Sequence, residues 1–148
     1  MRLLSRSPEE TAAFGSRLAR RLRKGDTVCL FGELGAGKTT FVKGVASGLG
    51  IPERDVTSAS FTIIAEHPGT LRGAPVMLYH IDLYRIAGAS ELDSVGIDGY
   101  IGGQGIAVVE WAERLGDTGD CLCVRFGISD GERELTIEGI DEEDWNNL

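Results

Sequence analysis

The chain has 148 residues, of which 42% are hydrophobic, and its formal net charge is −8. This length fits one domain with a small apolar core, and the acidic balance disfavours a protein that binds DNA or RNA on its own, because such binding depends largely on neutralising phosphates. No apolar run reaches the roughly 20 residues that a membrane-spanning helix needs, and the N-terminus does not resemble a signal peptide. The spacing of the three cysteines indicates neither a disulfide framework nor a zinc knuckle, which favours a reducing cytoplasm.

The first predicted elements are a helix and a short strand. Ser7 is a typical helix cap, Pro8 suits the first turn, and Glu10 completes a capping box. Apolar residues then recur every four positions, at Phe14, Leu18 and Leu22. We expect this helix to end at Lys24-Gly25. Residues 27–31, "TVCLF", are typical of a strand buried on both faces.

A glycine-rich stretch, "GELGAGKTT" at residues 32–40, follows that strand and precedes a predicted helix from Lys38 to Leu49. Glycines before a lysine and a hydroxyl residue are the pattern of a phosphate-binding loop, in which main-chain N–H groups surround an anion. Lys38 would reach the outer phosphates of a nucleoside triphosphate, and the Thr39 hydroxyl would bind Mg²⁺. The predicted nucleotide-binding residues are Gly32, Glu33, Leu34, Gly35, Ala36, Gly37, Lys38, Thr39 and Thr40.

The rest of the chain predicts further strands and a hairpin. Apolar runs indicate strands at residues 61–66, 76–82, 106–110, 124–128 and 134–137. Asp130-Gly131 is a strong hairpin turn, and a short helix is expected from Ser90, with Asp93 in its capping pattern. The acidic composition of residues 141–148 favours partial disorder. The order predicts a single α/β domain, residues 1–148, with a mostly parallel central sheet flanked by helices and an antiparallel C-terminal hairpin.

Two acidic residues stand at the ends of predicted apolar strands and are candidates for binding Mg²⁺ and for catalysing hydrolysis. Asp82 ends "VMLYHID" and Glu110 ends "IAVVE". We predict that Asp82 belongs to a Mg²⁺ shell with Thr39, and that Glu110, also near the metal, orients or activates the attacking water. His80 is interpreted as a packed or supporting residue rather than a metal ligand, and Trp111 fits equally an ordinary core position or the rim of the site.

The sequence leaves alternatives for which nucleotide binds and for what the protein does with it. Ras-type GTPases read guanine through Asn-Lys-x-Asp, a segment that this sequence lacks, so ATP, with ADP as product, is the favoured nucleotide. A small metabolite kinase would need a lid with arginines, and the glycine-rich residues 96–105 contain no basic residue. A nucleotide-gated binding module that never hydrolyses is the third possibility.

Four motifs together resemble the TsaE (YjeE) family, bacterial P-loop ATPases of tRNA threonylcarbamoyladenosine modification. They are "GELGAGKTT" at 32–40, "TSASFT" at 57–62, "HIDLYR" at 80–85 and "VEWAE" at 109–113. The resemblance implies a cytoplasmic ATPase that works with the TsaD and TsaB proteins and resets their complex between rounds of threonylcarbamoyl transfer. Because a net charge of −8 disfavours direct binding of tRNA, we expect tRNA to be contacted only through that complex.

The resemblance also carries residue roles. Lys38 and Thr39 fall on the family's phosphate and Mg²⁺ residues, with Thr40 next to them, Asp82 falls on its metal-site aspartate and Glu110 on its essential glutamate. The same motifs include His80, Tyr84, Arg85 and Trp111. The family's Ser-Pro-Thr-Phe segment is Ser-Ala-Ser-Phe here, so Ser60 keeps a hydroxyl for a γ-phosphate or metal contact, whereas the missing proline leaves the loop less constrained.

Overall fold

One sheet organises the chain in this computed structural model, which describes residues 1–57, 63–116 and 118–148. Within those residues the strands are β1 Arg2–Ser5, β2 Thr27–Phe31, β3 Ile64–Leu71, β4 Ala74–Asp82, β5 Ile106–Glu110, β6 Leu122–Ser129 and β7 Glu132–Glu138. The α-helices are α1 Pro8–Ala19, α2 Lys38–Gly48, α3 Ala89–Val95 and α4 Glu142–Asn146. None of the helices in these ranges has both the length and the apolar character that crossing a bilayer requires.

The sheet has parallel strands at its centre and antiparallel strands at its edges. The described strands lie in the order β1-β7-β6-β2-β5-β4-β3. The pairs β6–β2, β2–β5 and β5–β4 are parallel, whereas β1–β7, β7–β6 and β4–β3 are antiparallel. This confirms the predicted α/β class and the C-terminal hairpin, whose tight turn places Asp130 at φ 50° and Gly131 at φ 78°. Because β2, β4 and β5 are parallel, their carboxyl ends meet at one edge.

Helix α1 begins as the sequence predicts but ends earlier. The Ser7 side chain accepts a hydrogen bond of 3.1 Å from the Glu10 N–H, while the Glu10 carboxylate accepts one of 2.7 Å from the Arg6 N–H. The predicted end at Lys24-Gly25 is wrong, since the α-helix ends at Ala19. The chain then forms a tighter turn, in which hydrogen bonds join residues three positions apart. Leu22 is still fully buried.

Helices α1 and α2 pack with their backbones in contact on one face of the sheet. A Cβ atom added to Gly44 would lie 1.9 Å from the Ala12 carbonyl oxygen, and one added to Gly15 would lie 2.3 Å from the Phe41 oxygen. Only glycine permits this approach. On the same interface Phe41 and Leu18 are fully buried, so α2 is fixed against α1 and the sheet below it.

Two predicted segments, β3 and α3, differ from the structure in detail. Strand β3 extends to Leu71, through Pro68, which an edge strand tolerates; the first residues of the predicted strand lie outside the described ranges. Helix α3 starts at Ala89 after Gly88, so Ser90 is not its cap; instead the Glu91 side chain accepts a hydrogen bond from the Ala87 N–H. The capping prediction there was wrong, because the cap position is Gly88, whose backbone is extended and which provides no side-chain hydrogen bond.

The C-terminal residues form a docked helix, contrary to the partial disorder that their acidity suggests. Asp141 caps α4 by accepting a hydrogen bond of 2.8 Å from the Asp144 N–H. Trp145 is only 3% exposed, and the Arg17 guanidinium lies 5.1 Å from the centre of its ring. Arg17 also donates to the Trp145 carbonyl at 3.0 and 3.2 Å. Burial of the Trp145 side chain therefore holds this helix against the protein in spite of the acidic residues around it.

Cys29 and Cys123 lie in the sheet, and Cys121 lies just before β6. Cys29 in β2 is fully buried, and burial raises its pKa. Burial also raises the pKa of Cys123 to about 11, and its sulfur lies 3.5 Å from that of Cys121. At neutral pH Cys29 and Cys123 are therefore protonated, packed groups rather than reactive ones.

Candidate functional site

A cavity of about 280 Å³ opens where the carboxyl ends of β4 and β5 meet the start of α2. The residues that line it are Leu34, Gly35, Gly37, Lys38, Thr39, Thr40, Asp82, Tyr84, Glu110 and Trp111. Each of these was predicted from the sequence as a site residue. The register explains the meeting of the two acids, because Asp82 lies directly opposite Glu110 in the parallel pair β4–β5.

The loop between β2 and α2 forms one wall of this cavity. Gly35 has φ 79° and Gly37 has φ 105°, values that L side chains rarely adopt. Gly37 also caps α2 and offers no side-chain oxygen to the N–H groups of the first turn. These unpaired donors and the positive end of the helix dipole favour an anion at this point.

The Lys38 ammonium lies on the loop itself. It donates to the Gly32 carbonyl and, at 3.0 Å, to the Glu33 carbonyl, and it lies 4.0 Å from the centre of the Trp111 ring. Burial lowers the pKa of Lys38, an effect that the neighbouring Glu110 partly opposes. A partly desolvated ammonium beside the loop is well placed to exchange these carbonyls for phosphate oxygens.

Glu110 connects the loop helix to the centre of the sheet. Its two carboxylate oxygens accept hydrogen bonds of 2.9 and 3.1 Å from the Thr39 hydroxyl. The oxygen at 3.1 Å also lies 2.5 Å from Nε2 of His80. Glu110 is 3% exposed and His80 is fully buried, so the carboxylate is held at the cavity wall by residues from two different elements.

Asp82 is a buried carboxylate beside this pair. It is 3% exposed, and one of its oxygens accepts a hydrogen bond of 2.9 Å from the Tyr84 N–H. Burial raises the pKa of Asp82, with the nearby Glu110 adding to the effect and the Tyr84 hydrogen bond opposing it. At neutral pH the ionised form is therefore less stable in the folded protein than in the unfolded chain.

This imbalance gives a prediction on stability. We expect Asp82→Asn to raise the free energy of unfolding at neutral pH by about 1 kcal/mol, because the amide keeps the Tyr84 hydrogen bond and removes the buried charge. The gain should vanish as the pH falls through the folded pKa of Asp82, where the parent carboxyl becomes neutral as well. Urea unfolding at neutral pH and at about pH 4 measures both values. The exposed Asp98→Asn is the control, and a destabilised Asp82→Asn would contradict the prediction.

Two aromatic residues form the rim of the cavity. The rings of Tyr84 and Trp111 have centroids 5.0 Å apart, and Tyr84 is 43% exposed. Trp111 has φ 58°, an unfavourable backbone conformation for a bulky residue, which turns the chain sharply after β5. Of the two interpretations that the sequence left open for Trp111, the geometry matches the rim of the site.

The remaining predicted residues lie around the cavity rather than in it. Gly32 and Glu33 contribute carbonyl oxygens to Lys38, and Ala36 is buried beneath the loop. Arg85 is exposed and does not line the cavity. Ser60 lies outside the described residues, so the structure does not address its role.

Sequence reasoning missed Arg133. This residue of β7 donates from Nη2 to the Gly35 carbonyl at 3.3 Å and from Nη1 to the Gly131 carbonyl at 3.4 Å. It therefore connects the hairpin turn to the loop. No local sequence signal reveals this contact, because it joins positions 98 residues apart.

The comparisons with known proteins agree with the geometry. The family model described as "Threonylcarbamoyl adenosine biosynthesis protein TsaE" matches residues 5–137. The chain belongs to the TsaE family. A TsaE protein of tRNA threonylcarbamoyladenosine biosynthesis from Treponema pallidum is 41% identical over 140 residues, which cover 93% of this chain and 99% of that protein. The Bacillus subtilis TsaE is 43% identical over 143 residues, covering 90% and 82%.

A solved structure supports the same membership. The crystal structure of Bacillus subtilis YdiB superimposes with a TM-score of 0.73 at 37% sequence identity, covering 97% of this chain and 88% of YdiB. The TsaE-like fold predicted from the motifs is thus confirmed. Family membership connects the chain to the biosynthesis of threonylcarbamoyladenosine in tRNA.

Proposed function

We propose that this chain is a Mg²⁺-dependent ATPase that hydrolyses ATP in the cavity described above and acts with TsaD and TsaB in tRNA modification. The observation that carries the proposal is the contact between Glu110 and Thr39, which brings a buried carboxylate to the first turn of the phosphate-loop helix. A binding site alone does not require a carboxylate there, because the negative charge repels phosphates. A hydrolase does, because a base must orient the attacking water.

The proposed binding mode uses the loop and its lysine. The N–H groups of Gly35, Gly37, Lys38 and Thr39 would surround the phosphates, whereas the Ala36 N–H already donates to the Glu33 carbonyl. The Lys38 ammonium would move from the Gly32 and Glu33 carbonyls to the outer phosphate oxygens. Leaving those carbonyls costs two hydrogen bonds, but they are replaced by charged acceptors. The Trp111 ring would remain beneath the ammonium and limit its approach to one direction.

The donor set fits Mg²⁺. Thr39 provides a hydroxyl and Asp82 provides a buried carboxylate, and both side chains line the same cavity. Within the described ranges no group of three or more His, Cys, Asp and Glu side chains could hold a metal alone, which suits an ion bound mainly through substrate phosphates and water. When bound, Mg²⁺ would neutralise phosphate charge at this edge of the sheet.

The proposed turnover is slow without partners. Among the described residues that line the cavity there is no arginine, the group that commonly stabilises the transferred phosphoryl charge. This argues against a metabolite kinase as well as against fast intrinsic hydrolysis. We therefore infer that TsaD and TsaB complete the site, and that tRNA, which a chain of net charge −8 would bind poorly, is contacted through them in the cytoplasm.

ADP formation tests the proposal directly. The purified chain should form ADP slowly with Mg²⁺, faster by on the order of tenfold or more when TsaD and TsaB of the same organism are added, and not at all in excess EDTA. A phosphorylated metabolite formed in step with ADP would identify a kinase instead. ATP binding without ADP formation under all conditions would identify a nucleotide-gated binding module and overturn the proposal.

A further inference from the structure

We propose that His80 is a positioning residue that holds the Glu110 carboxylate in its hydrolytic orientation. The inference rests on the proposed function, since it concerns the base of that reaction. Nε2 of His80 lies 2.5 Å from a Glu110 carboxylate oxygen, and the side chains are 0% and 4% exposed. An ionised carboxylate has no proton to donate and can only accept hydrogen bonds, so the hydrogen in this bond is on Nε2, which donates it.

The sheet register determines this contact. His80 lies opposite Val108 in the parallel pair β4–β5, two positions before Glu110 on the same face. The imidazole therefore reaches Glu110 diagonally from beneath the cavity, while Thr39 reaches it from α2. In the proposed function the Thr39 hydroxyl also serves Mg²⁺, whereas His80 has no second hydrogen-bond partner among the described residues. Among the described residues, the His80 side chain therefore makes its hydrogen bond to Glu110 alone.

The free-energy cost of burying this histidine indicates that it has a functional role. Its Nδ1 atom is buried with no hydrogen-bond partner in the part of the chain that the structure describes. A buried polar atom without a hydrogen bond destabilises the folded protein, a cost that an apolar residue at this position would avoid. What the imidazole provides in return is one short hydrogen bond that fixes the rotation of a buried carboxylate, and hence the direction in which Glu110 accepts a proton from water.

The test compares side chains that can and cannot reach Glu110. Steady-state ATP turnover with TsaD and TsaB is measured for the parent, His80→Phe, His80→Asn and His80→Gln. We expect His80→Phe and His80→Asn to lower kcat on the order of 10–100-fold with KM for ATP within about twofold. His80→Gln should recover most of kcat, because its longer side chain places an amide N–H near the position of Nε2, whereas asparagine is too short.

A second histidine gives a matched control. His67 on β3 also has a buried Nε2 without a partner among the described residues, and no contact joins it to Glu110. His67→Phe should leave kcat unchanged. Equal kcat for the parent and His80→Phe would overturn the inference, and if His80→Phe does not fold, equal kcat for His80→Gln and His80→Asn would overturn it. If the parent itself forms no ADP with Mg²⁺ and its partners, it is the proposed function that fails.

Discussion

Lys38→Ala is expected to weaken ATP binding and to lower ATP turnover by roughly 100-fold or more. The substitution removes the only ammonium that lines the described part of the cavity, and charge-assisted contacts to phosphate are worth several kcal/mol in a partly desolvated site. The fold should remain intact, because Lys38 contacts two loop carbonyls, which water can satisfy, and the face of the Trp111 ring at the rim of the cavity. Isothermal titration with ATP and Mg²⁺, together with ADP formation, measures both effects.

The control for this experiment lies on the same helix. Lys43→Ala removes one positive charge from α2 at a position that does not line the cavity, so it separates a local phosphate contact from a general change in charge. We expect Lys43→Ala to bind ATP within about twofold of the parent. An unchanged ATP affinity in Lys38→Ala would show that the triphosphate is not bound by this loop.

Glu110→Gln is expected to separate binding from hydrolysis. Glutamine keeps the size of the side chain and can still accept from Thr39, but it cannot take a proton from water. We expect kcat to fall by about 10²–10⁴-fold, the usual contribution of a positioned base, while ATP binds as tightly as before or tighter because a negative charge near the phosphates is gone.

Glu66→Gln is the matched substitution for this second experiment. Glu66 is an exposed residue of β3, and the change removes the same charge at a distance from the cavity. Its turnover should equal that of the parent. Unchanged turnover in Glu110→Gln would contradict the assignment of Glu110 as the residue that activates water and would favour a base supplied by a partner protein.

The segments that the sequence predicted well are those with strong local signals. About twenty consecutive residues form the apolar strand β2, the glycine loop and helix α2, and this order is a recognisable pattern in the sequence. Strand β5 was predicted at its observed bounds, Ile106–Glu110, because a fully buried parallel strand is a continuous apolar run. The acids at the ends of β4 and β5 then follow from the geometry of parallel sheets.

The features that the sequence could not reveal depend on distant contacts. Strand β1 has four residues and owes its existence to pairing with β7, more than 120 positions away. Docking of α4 depends on where Trp145 meets Arg17 of α1. The contact between His80 and Glu110 requires the register of β4 against β5, and a shift of one residue would turn His80 to the other face.

The backbone contact between α1 and α2 constrains how the protein can respond to nucleotide. With Gly44 and Gly15 leaving no space between the two helices, α2 has little freedom to slide or to tilt. The rearrangement that accompanies ATP should therefore be confined to the Lys38 side chain and to loop residues 32–37, and the helix should act as a stationary reference for them. Under the proposed function, any signal that passes to TsaD and TsaB would then arise from surface groups at the mouth of the cavity, such as Leu34 and Tyr84, rather than from a displacement of the protein interior.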